Sequence, residues 1–273
     1  MSDTDSVVSQ FKLTQSNKRR NIMANATQQT LAGKVAFVQG GSRGIGAAIV
    51  KRLASDGAAV AFTYVSSPDK ANEVVYAIQQ SGGRALAIKA DSSDAAAVKQ
   101  AIDQAATSFG SIDILVNNAG VLALGAIEDF KLEDFDRTLA VNVRSVFVAT
   151  QEAIRHMGTG GRIITIGSTN AERMPFQGGA AYAMSKSAIV GLTKGLARDL
   201  GPRGITVNNV QPGPVDTDMN PENSDFAESL KGLMAVGRYG RAEEIAGFVA
   251  YLAGPEAAYI TGASLTIDGG FSA

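Results

Sequence analysis

The chain of 273 residues has no cysteine, no tryptophan and a single histidine. Without cysteine it forms no disulfide, builds no thiolate metal centre and has no cysteine nucleophile. The one histidine, His156, falls near the end of a helical pattern with no acid or nucleophile motif around it, so it reads as a cap for helix carbonyls rather than a catalytic base. No metal site is expected. Excess charge of either sign is also missing: 25 basic residues against 26 acidic ones leave a net charge of -1. Nothing here favours nucleic acid or an anionic membrane, and a small organic ligand fits better. Nor is there an apolar run of the roughly 20 residues that span a bilayer. Residues 1–30 are polar and aperiodic, and the basic run Lys18, Arg19, Arg20 leads only into Ile22 and Met23 rather than a secretory apolar core. They read as a disordered or loosely docked extension ahead of one domain, residues 31–273, with a cytoplasmic location expected.

What is present is alternation. From Lys34 onward, short β-branched apolar runs at residues 35–39, 59–64, 85–89, 114–117, 162–166, 206–210 and 264–267 predict buried parallel strands. Between them, amphipathic runs at residues 45–55, 68–81, 94–109, 132–156, 180–200 and 242–252 predict helices. Asp94 is placed to cap one helix, Gly82 and Gly83 to end another, and Gly201 with Pro202 to stop a third. The expected fold is α/β: a single-domain, doubly wound parallel sheet of Rossmann type with helices on both faces. Residues 218–237 have weak periodicity and contain Pro221, Asn223, Ser224 and Gly232, so they read as an irregular segment placed to cover a substrate.

Directly after the first strand run comes Gly40-Gly41-Ser42-Arg43-Gly44-Ile45-Gly46, with a helix starting inside it. Glycines there let the backbone turn sharply and approach a pyrophosphate, while the helix N-terminus presents unpaired N–H groups to its charge. The end of the second strand run, Phe62-Thr63-Tyr64-Val65-Ser66-Ser67, holds no acid. An NAD site places a carboxylate there for the ribose 2′-hydroxyl. Arg43 can instead pair with a 2′-phosphate, and the hydroxyls of Tyr64 and Ser66 can donate to it, so NADP(H) is the expected cofactor. Asp91 and Ser92 after the third strand run are placed for the adenine. After the fourth, Asn117, Asn118, Ala119 and Gly120 allow close backbone approach.

Tyr182 and Lys186 stand at i and i+4 of a predicted helix, on one face. A neighbouring ammonium favours the phenolate of a tyrosine, whose ordinary pKa of about 10 is too high for ready proton exchange. Ser168 follows the fifth strand run, where its hydroxyl can polarise a substrate oxygen, and Asn142 interrupts an apolar helix where a buried amide needs partners.

With these residues in this order, the sequence from about Leu31 onward resembles the short-chain dehydrogenase/reductases, including the branch that reduces 3-oxoacyl groups on a carrier protein. The resemblance implies a catalytic tetrad of Asn142, Ser168, Tyr182 and Lys186, with Lys186 also binding the nicotinamide ribose. It implies that Pro212, Gly213, Val215 and Thr217 line the nicotinamide end. Two departures stand out: Gln39 replaces a more usual Thr before the glycine turn, and the Ser168 to Tyr182 interval is one residue longer than usual, around Arg173-Met174-Pro175. Residues 259–262 and 267–270 resemble a C-terminal region that packs between subunits, which implies a homotetramer. The implied activity is NADP(H)-dependent reduction of a ketone or 3-oxoacyl substrate, or oxidation of the alcohol. Residues 173–182, 211–214 and 218–221 also resemble a branch of cyclic-di-GMP-binding biofilm-dispersal mediators, so a nucleotide-binding regulator on the same fold is the alternative.

Overall fold

A computed structural model describes residues 29–273; the predicted N-terminal extension lies, apart from its last two residues, outside them. Seven strands, β1 (Val35–Gln39), β2 (Ala59–Tyr64), β3 (Arg84–Lys89), β4 (Ile114–Asn117), β5 (Arg162–Ile166), β6 (Thr206–Pro212) and β7 (Ser264–Ile267), form one sheet in the order β3-β2-β1-β4-β5-β6-β7. Every pairing is parallel. β1, β2, β4, β5 and β6 bury almost every residue, because each face of the sheet is covered by helices and neither can be polar.

Side-chain alternation along β1 shows how the two layers are filled. Ala36 and Val38 face α1 (Gly44–Ser55), α2 (Pro68–Gln80) and α8 (Ala242–Ala253), meeting Ile49, Leu53, Val74 and Val249. Val35 and Phe37 face α3 (Ala95–Phe109), α5 (Ser145–Ala153) and the end of α6 (Ala180–Leu200), meeting Ile102, Ala149 and Leu200. A shift of one residue in β1 would exchange the two sets, so both cores specify the register.

Asp94 caps α3 as expected, accepting from the backbone N–H groups of Ala96 and Ala97 at 2.8 and 3.2 Å. Three regions differ from the sequence reading. The single helix expected over residues 132–156 is α4 (Leu132–Leu139), a π-helical turn (Ala140–Arg144), then α5. The segment over residues 218–237 is not wholly irregular: it contains α7 (Asp225–Lys231), started by Ser224, whose hydroxyl accepts from Ala227 N at 3.1 Å. His156 caps no carbonyl with its ring; its Nε2 lies 2.8 Å from Asp103 Oδ1 on α3.

Candidate active site

The strand order reverses between β1 and β4, whose ends Gln39 and Asn117 are in register. Loops leaving such neighbours diverge and open a crevice at the carboxyl edge of the sheet. The glycine turn enters that crevice. Gly40 and Gly44 have φ of 70° and 52°, the left-handed region where a side chain is strained. A Cβ on Gly46 would fall 2.0 Å from the Gly40 carbonyl oxygen and 2.5 Å from Asn118 Nδ2. That third glycine is therefore required by the close return of the helix onto the strand.

Thr63 at the end of β2 satisfies the turn: its hydroxyl accepts from Gly40 N and its carbonyl from Gly41 N, both at 2.9 Å. Asn118 Nδ2 donates to the carbonyls of Gln39 and Gly40 at 3.1 and 2.8 Å, tying the β1 and β4 loops together. The unusual Gln39 is buried, and its amide donates to Ser145 Oγ on α5 at 3.2 Å. It fixes the strand to the layer beneath and leaves the phosphate side of the turn untouched. Arg43, at the N-cap of α1, is exposed and makes no side-chain cap. Asp91 accepts from the backbone N–H and hydroxyl of Ser93, both at 2.8 Å, and the backbone bond in particular holds its carboxyl below the ordinary range.

At the other end of the crevice, α6 carries Tyr182 and Lys186. The Lys186 ammonium is buried and donates to the Ile166 carbonyl at the end of β5 at 3.0 Å, 5.7 Å from the centre of the Tyr182 ring. Burial pushes it down to about 8. Tyr182 does not follow the sequence expectation of a lowered phenol. Burial dominates and raises it, with the Ser168 hydroxyl pulling the other way. The group is thus held as a proton donor. Ser168 Oγ donates to Asn170 Oδ1 and accepts from Asn170 N, both at 3.1 Å, which fixes it at the mouth of a short 3-10 turn.

Asn142 lies in the π-helical turn. Its Oδ1 accepts from Val121 N at 2.9 Å, and its Nδ2 donates to Val121 O and to Ser185 Oγ, both at 3.0 Å. The extra residue in that turn aims the amide at the β4 loop, where a regular helix would carry it past.

One cavity of about 420 Å³ gathers these features. It is lined by every residue expected at the cofactor end, from Gly40 and Ser42 through Tyr64, Ser66, Asp91, Ser92 and Asn118 to Thr217, and by Ser168, Tyr182 and Lys186. Asn142 is the exception: it sits one layer behind, buttressing the loop that forms the wall. Sequence reasoning missed Ser185, which joins Asn142 to the Tyr182 carbonyl through bonds of 3.0 and 2.7 Å, and the aromatic residues Phe176, Phe226 and Phe271 on the far wall. Their signal was present only as isolated aromatics outside the predicted elements.

A glycine-rich dinucleotide turn that shares a cavity with Ser168, Tyr182 and Lys186 defines an oxidoreductase working with a nicotinamide dinucleotide. The family described as enoyl-(acyl carrier protein) reductase matches residues 40–272, and the chain belongs to the short-chain dehydrogenase/reductase family. It is similar to a short-chain dehydrogenase/reductase of Serratia marcescens, with 74% identity, 89% of this chain and 99% of that chain covered, and a TM-score of 0.88. A short-chain dehydrogenase of Burkholderia cenocepacia in complex with NADP is 56% identical, with the same coverage and TM-score. The cyclic-di-GMP-binding biofilm dispersal mediator protein of Escherichia coli is 51% identical over 241 residues, 88% of this chain and 98% of that protein.

Proposed function

We propose that the chain is an NADP(H)-dependent carbonyl reductase, interconverting a ketone or 3-oxoacyl substrate and its alcohol. The observation that carries this reading is the placement of a protonated, buried Tyr182 beside Ser168 in the cavity that contains the glycine turn. The site fits the cofactor: the cradle at Gly46 has no room for a Cβ, the N–H groups at the start of α1 face the cavity, and no carboxylate stands at the end of β2 to repel a 2′-phosphate. Arg43, Tyr64 and Ser66 would hold that phosphate, Lys186 the nicotinamide ribose, and Pro212, Gly213, Val215 and Thr217 the nicotinamide. The bound cofactor supplies a hydride to the carbonyl carbon.

The chain's own residues handle the oxygen. The Ser168 hydroxyl donates a hydrogen bond to it, and Tyr182 gives it a proton as the carbon–oxygen double bond becomes single. In the opposite direction Tyr182 takes that proton back. Asn142 acts through Val121, keeping the wall of the site in place. The test is NADPH oxidation with a panel of ketones and 3-oxoacyl esters. Tyr182→Phe is expected to lower turnover by about 10²–10⁴-fold while binding of NADPH, followed by its fluorescence, survives; full turnover by that variant refutes the assignment.

Two further parts of the proposal are a homotetramer and a cytoplasmic location. Support for the first is the edge position of β7 and the exposed Ile127, Leu132 and Phe147 on and before the α4–α5 face. Support for the second is that, among the described residues, no helix is long and apolar enough to cross a membrane.

A further inference from the structure

Beyond Tyr182, the cavity is walled by Leu122, Phe176, Met219, Phe226, Leu230 and Phe271. These residues come from four separate parts of the chain, so their convergence was invisible in the sequence. Phe176, in the loop before α6, meets Phe226 of α7 edge to face, with ring centroids 5.3 Å apart and planes at 83°. Phe271 is 2% exposed and packs with Ala227, Leu230, Met234 and Tyr239 in a small core of its own. The Arg173 guanidinium donates to the Phe271 carbonyl and lies 5.8 Å from the centre of its ring. The wall is therefore a braced structure rather than a loose flap. Yet Leu122, Met219 and Phe226 keep 37%, 55% and 41% of their surface uncovered while lining the cavity. Apolar surface held open in this way gains from an apolar occupant.

Charge narrows the choice. The charged residues lining the cavity are Arg43, Asp91, Arg137, Lys186 and Asp218. Arg43 and Asp91 belong to the dinucleotide end, Arg137 acts on Asp91, and Lys186 is spent on the Ile166 carbonyl. Asp218 is paired with Lys70 of α2 at 2.6 Å. None belongs to the aromatic wall. The cations next to it, Lys231 and Arg238, are paired with Glu228 and Glu244. A carboxylate or a phosphate-bearing carrier finds no free counter-charge there, whereas a neutral aromatic ring finds ring faces and edges already arranged at right angles.

We infer that the substrate of this site is a neutral ketone carrying an aromatic ring, with the ring seated against Phe176 and Phe226; the inference rests on the carbonyl-reductase reading above. It favours such ketones over linear 3-oxoacyl thioesters.

The test compares 4-phenyl-2-butanone with 4-cyclohexyl-2-butanone, whose reacting carbonyls are alike and whose rings differ only in aromaticity. An acetoacetyl thioester of coenzyme A supplies the anionic, linear case, and 2,3-butanedione a small reactive diketone. Expected kcat/KM with NADPH is about five- to tenfold higher for the phenyl than the cyclohexyl ketone, with the thioester lowest of the larger substrates. Phe226→Leu, or Phe176→Leu if the first does not fold, is expected to bring the phenyl preference below about twofold. A wild-type ratio near one, a ratio unmoved by a folded variant, or a preference for the thioester overturns the inference. Reduction of the diketone by the wild type and its loss in Tyr182→Phe test the reductase reading separately. With that activity present and the phenyl preference absent, only the substrate inference fails; with no carbonyl reduced, both fail.

Discussion

The side chain of Asn142 holds both backbone groups of Val121, accepting its N–H at 2.9 Å and donating to its carbonyl at 3.0 Å across 21 residues of sequence. A side-chain amide is thereby used as a strand would be, pairing with one residue of the loop that follows β4. Val121 lines the cavity and Asn142 does not, so the effect of Asn142 on chemistry passes through the position of that loop.

Asn142→Ala leaves Val121 N–H and C=O without these partners, and removes the bond to Ser185. The expected loss of stability is about 2–4 kcal/mol, read from the denaturant midpoint. Asn142→Asp is expected to do no better, because a carboxylate keeps the acceptor for Val121 N but turns an acceptor toward Val121 O. Wild-type stability in the Asp variant would show that the donor half of the pairing contributes nothing.

Lys186→Met separates stability from activity. Burial lowers the ammonium from 10.5 to about 8. Above 10.5 both folded and unfolded forms are neutral and carry no burial penalty. As pH falls toward 8 the unfolded chain binds the proton first and stability is lost; below 8 the full penalty remains. A fall of that size corresponds to roughly 3 kcal/mol, offset by about 1 kcal/mol for the lost bond to Ile166. The methionine variant should therefore gain about 1–2 kcal/mol at pH 7, seen as a higher Tm, while reduction of ketones is abolished. The gain should shrink as pH rises from 8 to 10.5. A lower Tm at neutral pH contradicts this account.

How far the sequence carried these conclusions depends on the range of the interaction concerned. β1, β4, β5 and β7 were legible to the residue because each is a short apolar run bounded by turn residues. The grouping of Tyr182, Lys186 and Ser168 with the glycine turn followed from where strands of a doubly wound sheet end. The π-helical turn was not legible, since one extra residue perturbs the helical pattern locally while the apolar face resumes beyond it. Asn142's partners were not either: Val121 and Ser185 lie 21 and 43 residues away. The direction of the Tyr182 shift failed for the same reason, because proximity to Lys186 is written in the i, i+4 spacing and depth of burial is not. For α7 a local signal existed, Ser224 ahead of Phe226 and Leu230 at i and i+4, but seven residues are too few for periodicity to decide.

Cofactor choice is tested by Arg43→Ala. Loss of a charge-assisted contact to the 2′-phosphate corresponds to about ten- to a hundredfold in Kd for NADPH, with NADH affected by less than about threefold. Fluorescence titration with both cofactors gives the comparison. Equal losses would place the phosphate on other residues.

Calorimetric titration with NADPH and with cyclic-di-GMP addresses the regulator alternative. NADPH is expected to bind, and cyclic-di-GMP to give no binding heat once the cavity is saturated with NADPH. Binding of cyclic-di-GMP to a chain that does not take up NADPH reverses the ranking of enzyme over sensor.

The five residues of the π-helical turn, Ala140–Arg144, also constrain what lengths of chain this region tolerates. Deleting one of them would restore ordinary α-helical winding and swing everything downstream by about 100°. Val148, Ala149 and Ala153, now inside the α3–α5 core, would be turned away from it while Asn142 lost Val121. Packing on one side and amide pairing on the other thus depend on the same single-residue surplus, so a shortened helix here should fail to fold before it fails to catalyse.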